Sequence, residues 1–195
     1  MRRAGLTSIR SATEGELPAA ARVLAEAFEC YPWTRWAIPA DGYSRRLLEL
    51  QSLYLSYALD EGVVLVDEQL GGVIALLPPT AAPPSEEFQE RVAQLHGDRL
   101  TVVGEVRLPP SPEGYWTLET LGVRPDRQGA GLGGALVRAG LDIASKSTLH
   151  GVALETSDER NVRLYERVGF AVTAVTTIDR GPVVYSMVCE GTEKP

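Results

Sequence analysis

The chain of 195 residues carries a formal net charge of −7, with 44% apolar and 23% charged residues, a globular composition with apolar content enough for one domain and one substantial core. The acidic balance repels polyanions and no basic run interleaved with aromatics offsets it, which excludes nucleic acid as a partner. No stretch approaches the roughly 18 apolar residues of a membrane span, Met1 to Arg10 lacks the apolar core of a signal peptide, and Cys30 and Cys189 alone make no disulfide framework, so a cytoplasmic protein with reduced thiols is expected.

Thr7 to Ala12 reads as a short edge-like strand, and the following TEGE sets Thr13 and Glu16 at capping-box spacing, so a helix begins there. Leu17, Ala20, Ala21, Leu24, Ala27 and Phe28 recur at helical spacing and give it a buried face. Pro18 lies near enough to the start to cost at most about one hydrogen bond. The segment ECYPWTRWAIPADG is expected to be the loop that ends this helix. A second helix, about Tyr43 to Leu59, carries Leu47, Leu50, Leu53, Tyr54 and Tyr57. The period then changes: VVLVDEQLGGVIALL sets two β-branched runs around a glycine-bearing turn, the pattern of an antiparallel hairpin. After PPTAAPP, Glu86 to Arg99 forms an amphipathic helix on Phe88, Val92 and Leu95. Leu100 to Gly114 fits either a short helix or a loop.

From Tyr115 the pattern sharpens. YWTLETLGV is a strand, GVRPDRQGAGLGG a glycine loop, and Leu132, Leu136, Ala139 and Ile143 stripe the next helix. GVALET is a further strand; Asn161 to Val168 is a short helix closed by Gly169, which suits the left-handed position after a helix end. FAVTAVTTI and PVVYSMVC make a final hairpin across DRG. His96 and His150 are the only histidines, too few to assemble a metal site or a serine–histidine–acid triad, so no metal is expected.

GAGLGG satisfies the dinucleotide fingerprint G-x-G-x-x-G through Gly129, Gly131 and Gly134, and Glu155 ends the next strand near the spacing of a ribose-binding acid. Two features oppose that reading. RPDRQ separates the strand from the first glycine, and the chain after Glu155 holds too few alternating strands and helices for a doubly wound sheet. What remains is a loop of small residues opening a helix, whose backbone N–H groups lack intrahelical partners and suit an anion.

Gln128-Gly129-Ala130-Gly131-Leu132-Gly133 matches a Q/R-x-x-G-x-G/A acyl-CoA loop, and with LETLGVRP before it and LETSDERNVRLYERVGF after it the chain resembles the GNAT superfamily of N-acetyltransferases. AFECYPWTRW and LELQSLYL are similar to the puromycin-acetylating branch of that superfamily. The resemblance implies a single α/β domain over residues 1–195, with a mixed, mostly antiparallel twisted sheet, splayed central parallel strands and flanking helices. It implies that acetyl-CoA lies between LETLGV and GVALET, along Leu121, Gly122 and Val123. Its pyrophosphate then rests on Arg127, Gln128, Gly129, Ala130, Gly131, Leu132, Gly133 and Gly134, with Asn161 as a further polar contact.

Direct aminolysis of a thioester needs a neutral amine, stabilisation of the developing oxyanion and a proton for the departing thiolate, with no covalent nucleophile. Asn161 and Tyr165, four apart, share one helix face, and the family counterpart of Tyr165 protonates the thiolate. By the two-residue period Glu119, Leu121 and Val123 share a strand face, so Glu119 is the candidate base, and the backbone N–H near Val123 the candidate oxyanion donor. Tyr31, Trp33 and Trp36 are candidates to stack on the acceptor. The expected acceptor is a small-molecule amine, either an aminonucleoside antibiotic or a metabolite. A protein or peptide amine, a non-catalytic acyl-CoA sensor and a homodimer all stay open.

Overall fold

The computed structural model describes residues 8–147 and 150–191; Thr7, the first residue of the expected edge strand, lies outside them. Strand β1 (Ile9–Ser11) leads through a capping turn, in which the Glu16 carboxylate accepts from the Thr13 N–H and hydroxyl at 2.9 Å each, into α1 (Leu17–Phe28). Next come α2 (Pro32–Ala37), α3 (Tyr43–Glu61), β2 (Val63–Asp67), β3 (Gly72–Leu77), α4 (Glu86–His96) and α5 (Leu100–Gly104). The second half holds β4 (Trp116–Val123), α6 (Leu132–Ser147), β5 (Gly151–Thr156), α7 (Glu159–Glu166), β6 (Ala171–Thr177) and β7 (Val183–Glu190).

The strands form one sheet in the order β1-β2-β3-β4-β5-β7-β6, antiparallel at every neighbour except β4 and β5. The hairpin expected around DEQLGG is β2–β3, held at its turn by buried Asp67, whose carboxylate accepts from the N–H groups of Gly71 and Gly72 at 2.6 and 2.7 Å. Alternation along these strands divides their side chains between two apolar layers. Val64, Val66, Val73 and Ala75 pack against α1 and α3, whereas Leu65, Ile74 and Leu76 pack against Leu136 and Val137 of α6. That double burial explains why VVLV and VIALL read as continuous apolar runs. α1 approaches β4 so closely that a Cβ at Gly122 would stand 2.7 Å from Leu24 Cδ2.

Three expectations change. PWTRWA, inside the expected loop, is a helix, α2, because Pro32 sits at its first turn, where no intrahelical donor is lost, and the Thr34 hydroxyl donates to the Phe28 carbonyl at 2.9 Å, closing the corner after α1. The helix expected through Arg99 stops at His96, since Gly97 turns to φ 52°. The ambiguous central segment begins as the short helix α5 and then runs without regular structure to Tyr115.

Candidate active site

Parallel pairing between β4 and β5 is confined to Trp116 with Val152 and Thr117 with Ala153. Beyond those residues the strands part, and β4 continues paired only to β3. Arg124 N–H donates to Gly71 O at 2.8 Å, so by antiparallel alternation the main-chain groups of Val123 and Leu121 face the other way, into the gap. The Gln128 side chain, which donates to Val123 O at 2.9 Å, approaches from that side.

The register of β4 breaks where Leu76 pairs with Leu118 but Ala75 pairs with Thr120, leaving Glu119 as the extra residue of a β-bulge. Its insertion shifts the alternation: Leu118, Leu121 and Val123 all belong to the apolar layer under α6. Glu119 therefore does not share a face with Leu121 and Val123, contrary to the two-residue reading. It lines a cavity of about 560 Å³ that opens from the gap and runs beneath α3 and α4.

Past the gap, Gly129 and Gly131 adopt φ 77° and 84°, and a Cβ at either would meet nothing within 4 Å. The requirement for glycine there is conformational. The first helical bond of α6 runs from Ala135 N to Gly131 O, so the N–H groups from Gly129 through Gly134 donate to no acceptor among the described residues. Gly133 has a packing role besides, its Cβ position lying 3.1 Å from Leu164 Cδ1, and Gly122 packs on α1, as above. Arg127 donates to the Gln69 side chain and Arg124 pairs with Asp126, so both guanidinium groups beside the loop already have partners.

Tyr165 is 5% exposed and its ring lies 5.5 Å from that of Phe170, yet its hydroxyl has no hydrogen-bond partner among the described residues and it lines the cavity. Burial, with the nearby Tyr31 phenol, holds its pKa far above the usual tyrosine value, so it stays protonated. Asn161 donates to Thr156 Oγ1 at 3.3 Å. The Tyr31 hydroxyl meets the same Oγ1 at 3.0 Å and accepts from Ser157 N at 2.7 Å, while Trp33 N donates to Ser157 Oγ at 3.1 Å. The α1–α2 corner is thus tied to the end of β5. Tyr31 and Trp33 line the cavity. Trp36 does not: it packs against Trp33 at 5.4 Å and under Arg99, and its ring borders the β6–β7 turn at Gly181. Cys30, beside Tyr31, is a free thiol and exposed.

The remaining cavity wall is aromatic: Phe28, Tyr54, Tyr57 and Phe88, with Phe88 between the two tyrosines at ring distances of 5.6 and 5.5 Å. On the sequence alone, Tyr54, Tyr57 and Phe88 belong to the apolar packing faces of their helices. Their repetition on one face beside a polar Gln51 was the available signal. Two carboxylates sit within this wall, Glu119 and Glu155. Both are exposed to the cavity, and the protein crowded around them partly desolvates them. That desolvation, and for Glu119 also the charge of Glu155, raises their pKa values above the usual carboxylate range. Burial and Glu119 likewise push the Tyr54 phenol up. Among the described residues no group of three or more His, Cys, Asp or Glu is placed to hold a metal ion, and no helix is long and apolar enough to cross a membrane.

Comparison with known proteins accords with this geometry. A family model described as "Acetyltransferase (GNAT) family" matches residues 63–170, from β2 to the end of the α7 turn. The fold is similar to that of a histone acetyltransferase HPA2 and related acetyltransferase from Corynebacterium glutamicum, at TM-score 0.72 and 22% identity over 96% of this chain and 98% of that one. It is similar to a ribosomal-protein-alanine N-acetyltransferase from Brucella melitensis, at TM-score 0.60 and 19% identity over 94% and 99%. A GNAT family acetyltransferase from the same organism, in complex with acetyl-CoA, matches at TM-score 0.54 and 21% identity over 96% and 90%.

Proposed function

Because the chain belongs to the GNAT family of acetyltransferases, we propose that it moves the acetyl group of acetyl-CoA to a primary amine of a small apolar or aromatic molecule, by direct attack without an acyl-enzyme. The observation that carries this reading is the aromatic cavity containing Glu119 and Glu155, which opens from the gap between β4 and β5. Aromatic faces and carboxylates attract a cationic, partly apolar acceptor. The similarity of AFECYPWTRW and LELQSLYL to puromycin-acetylating enzymes supports an aminonucleoside antibiotic or a related amine metabolite.

The unpaired N–H groups from Gly129 to Gly134 fit a pyrophosphate at the start of α6. The coenzyme supplies an activated acyl carbon. Leu121 and Val123 direct N–H groups into the gap, where they can donate to the oxygen on which charge develops. Glu119, with its raised pKa, is a better proton acceptor for an arriving ammonium than an ordinary carboxylate. Tyr165 keeps its proton until one is needed.

The test is free-thiol release from acetyl-CoA over an amine panel that includes puromycin and short peptides, with Tyr165→Phe beside wild type. We expect release with aromatic amines and a kcat lower by about 10²-fold in the variant, with coenzyme affinity unchanged. Coenzyme binding without release from any amine would make the chain a sensor; release with peptides alone would move the acceptor to protein amines. Unchanged turnover in Tyr165→Phe would remove that phenol from the mechanism.

A further inference from the structure

Gln51 occupies the buried face of α3, beside Leu50 and one turn from Leu47, Tyr54 and Leu55, where helical periodicity calls for an apolar residue. It is 8% exposed and its amide has no hydrogen-bond partner among the described residues. Yet it is not sealed in: the sole polar side-chain atom among the described residues that is both sealed and unbonded is Ser186 Oγ, so the surface Gln51 keeps includes its amide, in the wall of the cavity.

His96, at the C-terminal end of α4, repeats the arrangement. It is 8% exposed and lines the same cavity, and its Nδ1 lies 2.8 Å from Ala37 O. A carbonyl only accepts, so Nδ1 carries a proton there, and Nε2 is the ring's remaining polar atom. Nε2 has no partner among the described residues. Leu50 and Leu95, the chain neighbours of Gln51 and His96, pack with Ile38 in one apolar cluster, and Ala37, Ile38 and Leu50 line the same cavity. Setting an amide and an imidazole in this largely apolar stretch of wall costs the fold free energy that an apolar pair would not.

We propose that Gln51 and His96 form a polar subsite that recognises a neutral hydrogen-bonding group of the acceptor, a hydroxyl or a carboxamide, apart from its reacting amine. This rests on the acceptor reading of the cavity. The geometry orders the substrate along α3. Tyr54 and Tyr57 pack on Phe88 at the start of α4, and Gln51 lies one turn earlier in α3, the direction in which α3 meets the other end of α4, where Arg46 donates to Leu95 O at 3.1 Å. The amine is held at the Glu119 end, an aromatic or apolar body lies against Tyr54 and Phe88, and the hydroxyl or amide reaches Gln51 and His96. Gln51 supplies both a donor and an acceptor, so a group that both donates and accepts uses its amide better than a carboxylate or a second ammonium, and His96 Nε2 adds a further polar contact.

The test measures calorimetric binding of matched amines to the coenzyme-bound protein: tyramine against phenethylamine, and para-(aminomethyl)benzamide against benzylamine. Wild type is expected to favour the hydrogen-bonding member of at least one pair by about tenfold, the scale of one net hydrogen bond. Gln51→Leu, and independently His96→Asn, which keeps an N–H for Ala37 O, should bring that ratio close to one. Both should hold affinity for the apolar member within about twofold. Gln51→Met serves if the leucine variant does not fold, and the melting temperature of either is expected to equal or exceed that of wild type. The proposal is overturned if wild type shows no preference in either pair, if the preference survives in the variants, or if both members weaken together. Thiol release separates the two levels: turnover of amines without discrimination sinks the subsite alone, whereas no binding and no turnover of any amine sinks the acceptor reading as well.

Discussion

At Glu119, open to the cavity but crowded by protein, and at buried Tyr165, loss of hydration shifts the balance toward the uncharged form. For Glu119 the folded chain holds its proton more tightly than the unfolded one. The stability this contributes is full below the ordinary carboxylate value of 4.5 and is lost as pH rises through the raised folded value. Glu119→Gln is therefore expected to melt higher than wild type, by a margin that grows from about pH 4.5 toward neutrality, as thermal denaturation across pH would show. In the same variant kcat/KM should fall by about 10²-fold, with the acidic limb of its pH profile flattened. Lower stability of the glutamine variant at neutral pH would mean that the carboxylate is favourably paired in the fold. Neither expectation depends on the identity of the amine.

Glycines in and around the coenzyme loop divide by what their neighbours demand. At Gly131 the demand is a positive φ with open space beyond it, whereas at Gly122 it is the closeness of α1. Gly131→Val should raise the coenzyme dissociation constant about tenfold or more, through strain of roughly 1–2 kcal/mol in the loop and a side chain over the N–H groups. Gly122→Val should instead lower stability by roughly 1–3 kcal/mol through overpacking. Calorimetric titration with CoA and chemical denaturation distinguish the two. This contrast also marks what the sequence makes legible. The Thr13–Glu16 cap, both hairpins and the glycine loop are local patterns of a few residues, and all of them form. The bulge at Glu119 is invisible to a periodicity argument, because one extra residue leaves the apolar pattern of LETLGV unchanged while redirecting a side chain. The outward packing of Trp36 and the cavity positions of Gln51 and His96 follow from the meeting of α2, α3 and α4, which no single stretch encodes.

At the scale of the whole molecule the sheet is two halves, β1 to β4 and β5 to β6, joined through a short parallel pairing at one end and held at the other by the Tyr31 hydroxyl. A ligand lying in the gap bridges both halves, so its binding free energy adds to their cohesion. At a coenzyme concentration one hundred times its dissociation constant the added stability is about 2.7 kcal/mol. Hydrogen exchange is the direct measure: amides of Leu121 and Val123 should exchange readily in the free protein and become protected with acetyl-CoA, together with those from Gly129 to Gly134. Protection confined to one half would contradict a bridging ligand.

The bond from Ser157 N to the Tyr31 hydroxyl joins positions 126 residues apart. A ribosome adding about 5–20 residues per second needs roughly 6–25 s to make that interval. Throughout synthesis of β2, β3, β4 and β5, the corner that carries Tyr31 and Trp33 waits without its anchor. The acceptor chamber is thus among the last parts of the nascent chain to close.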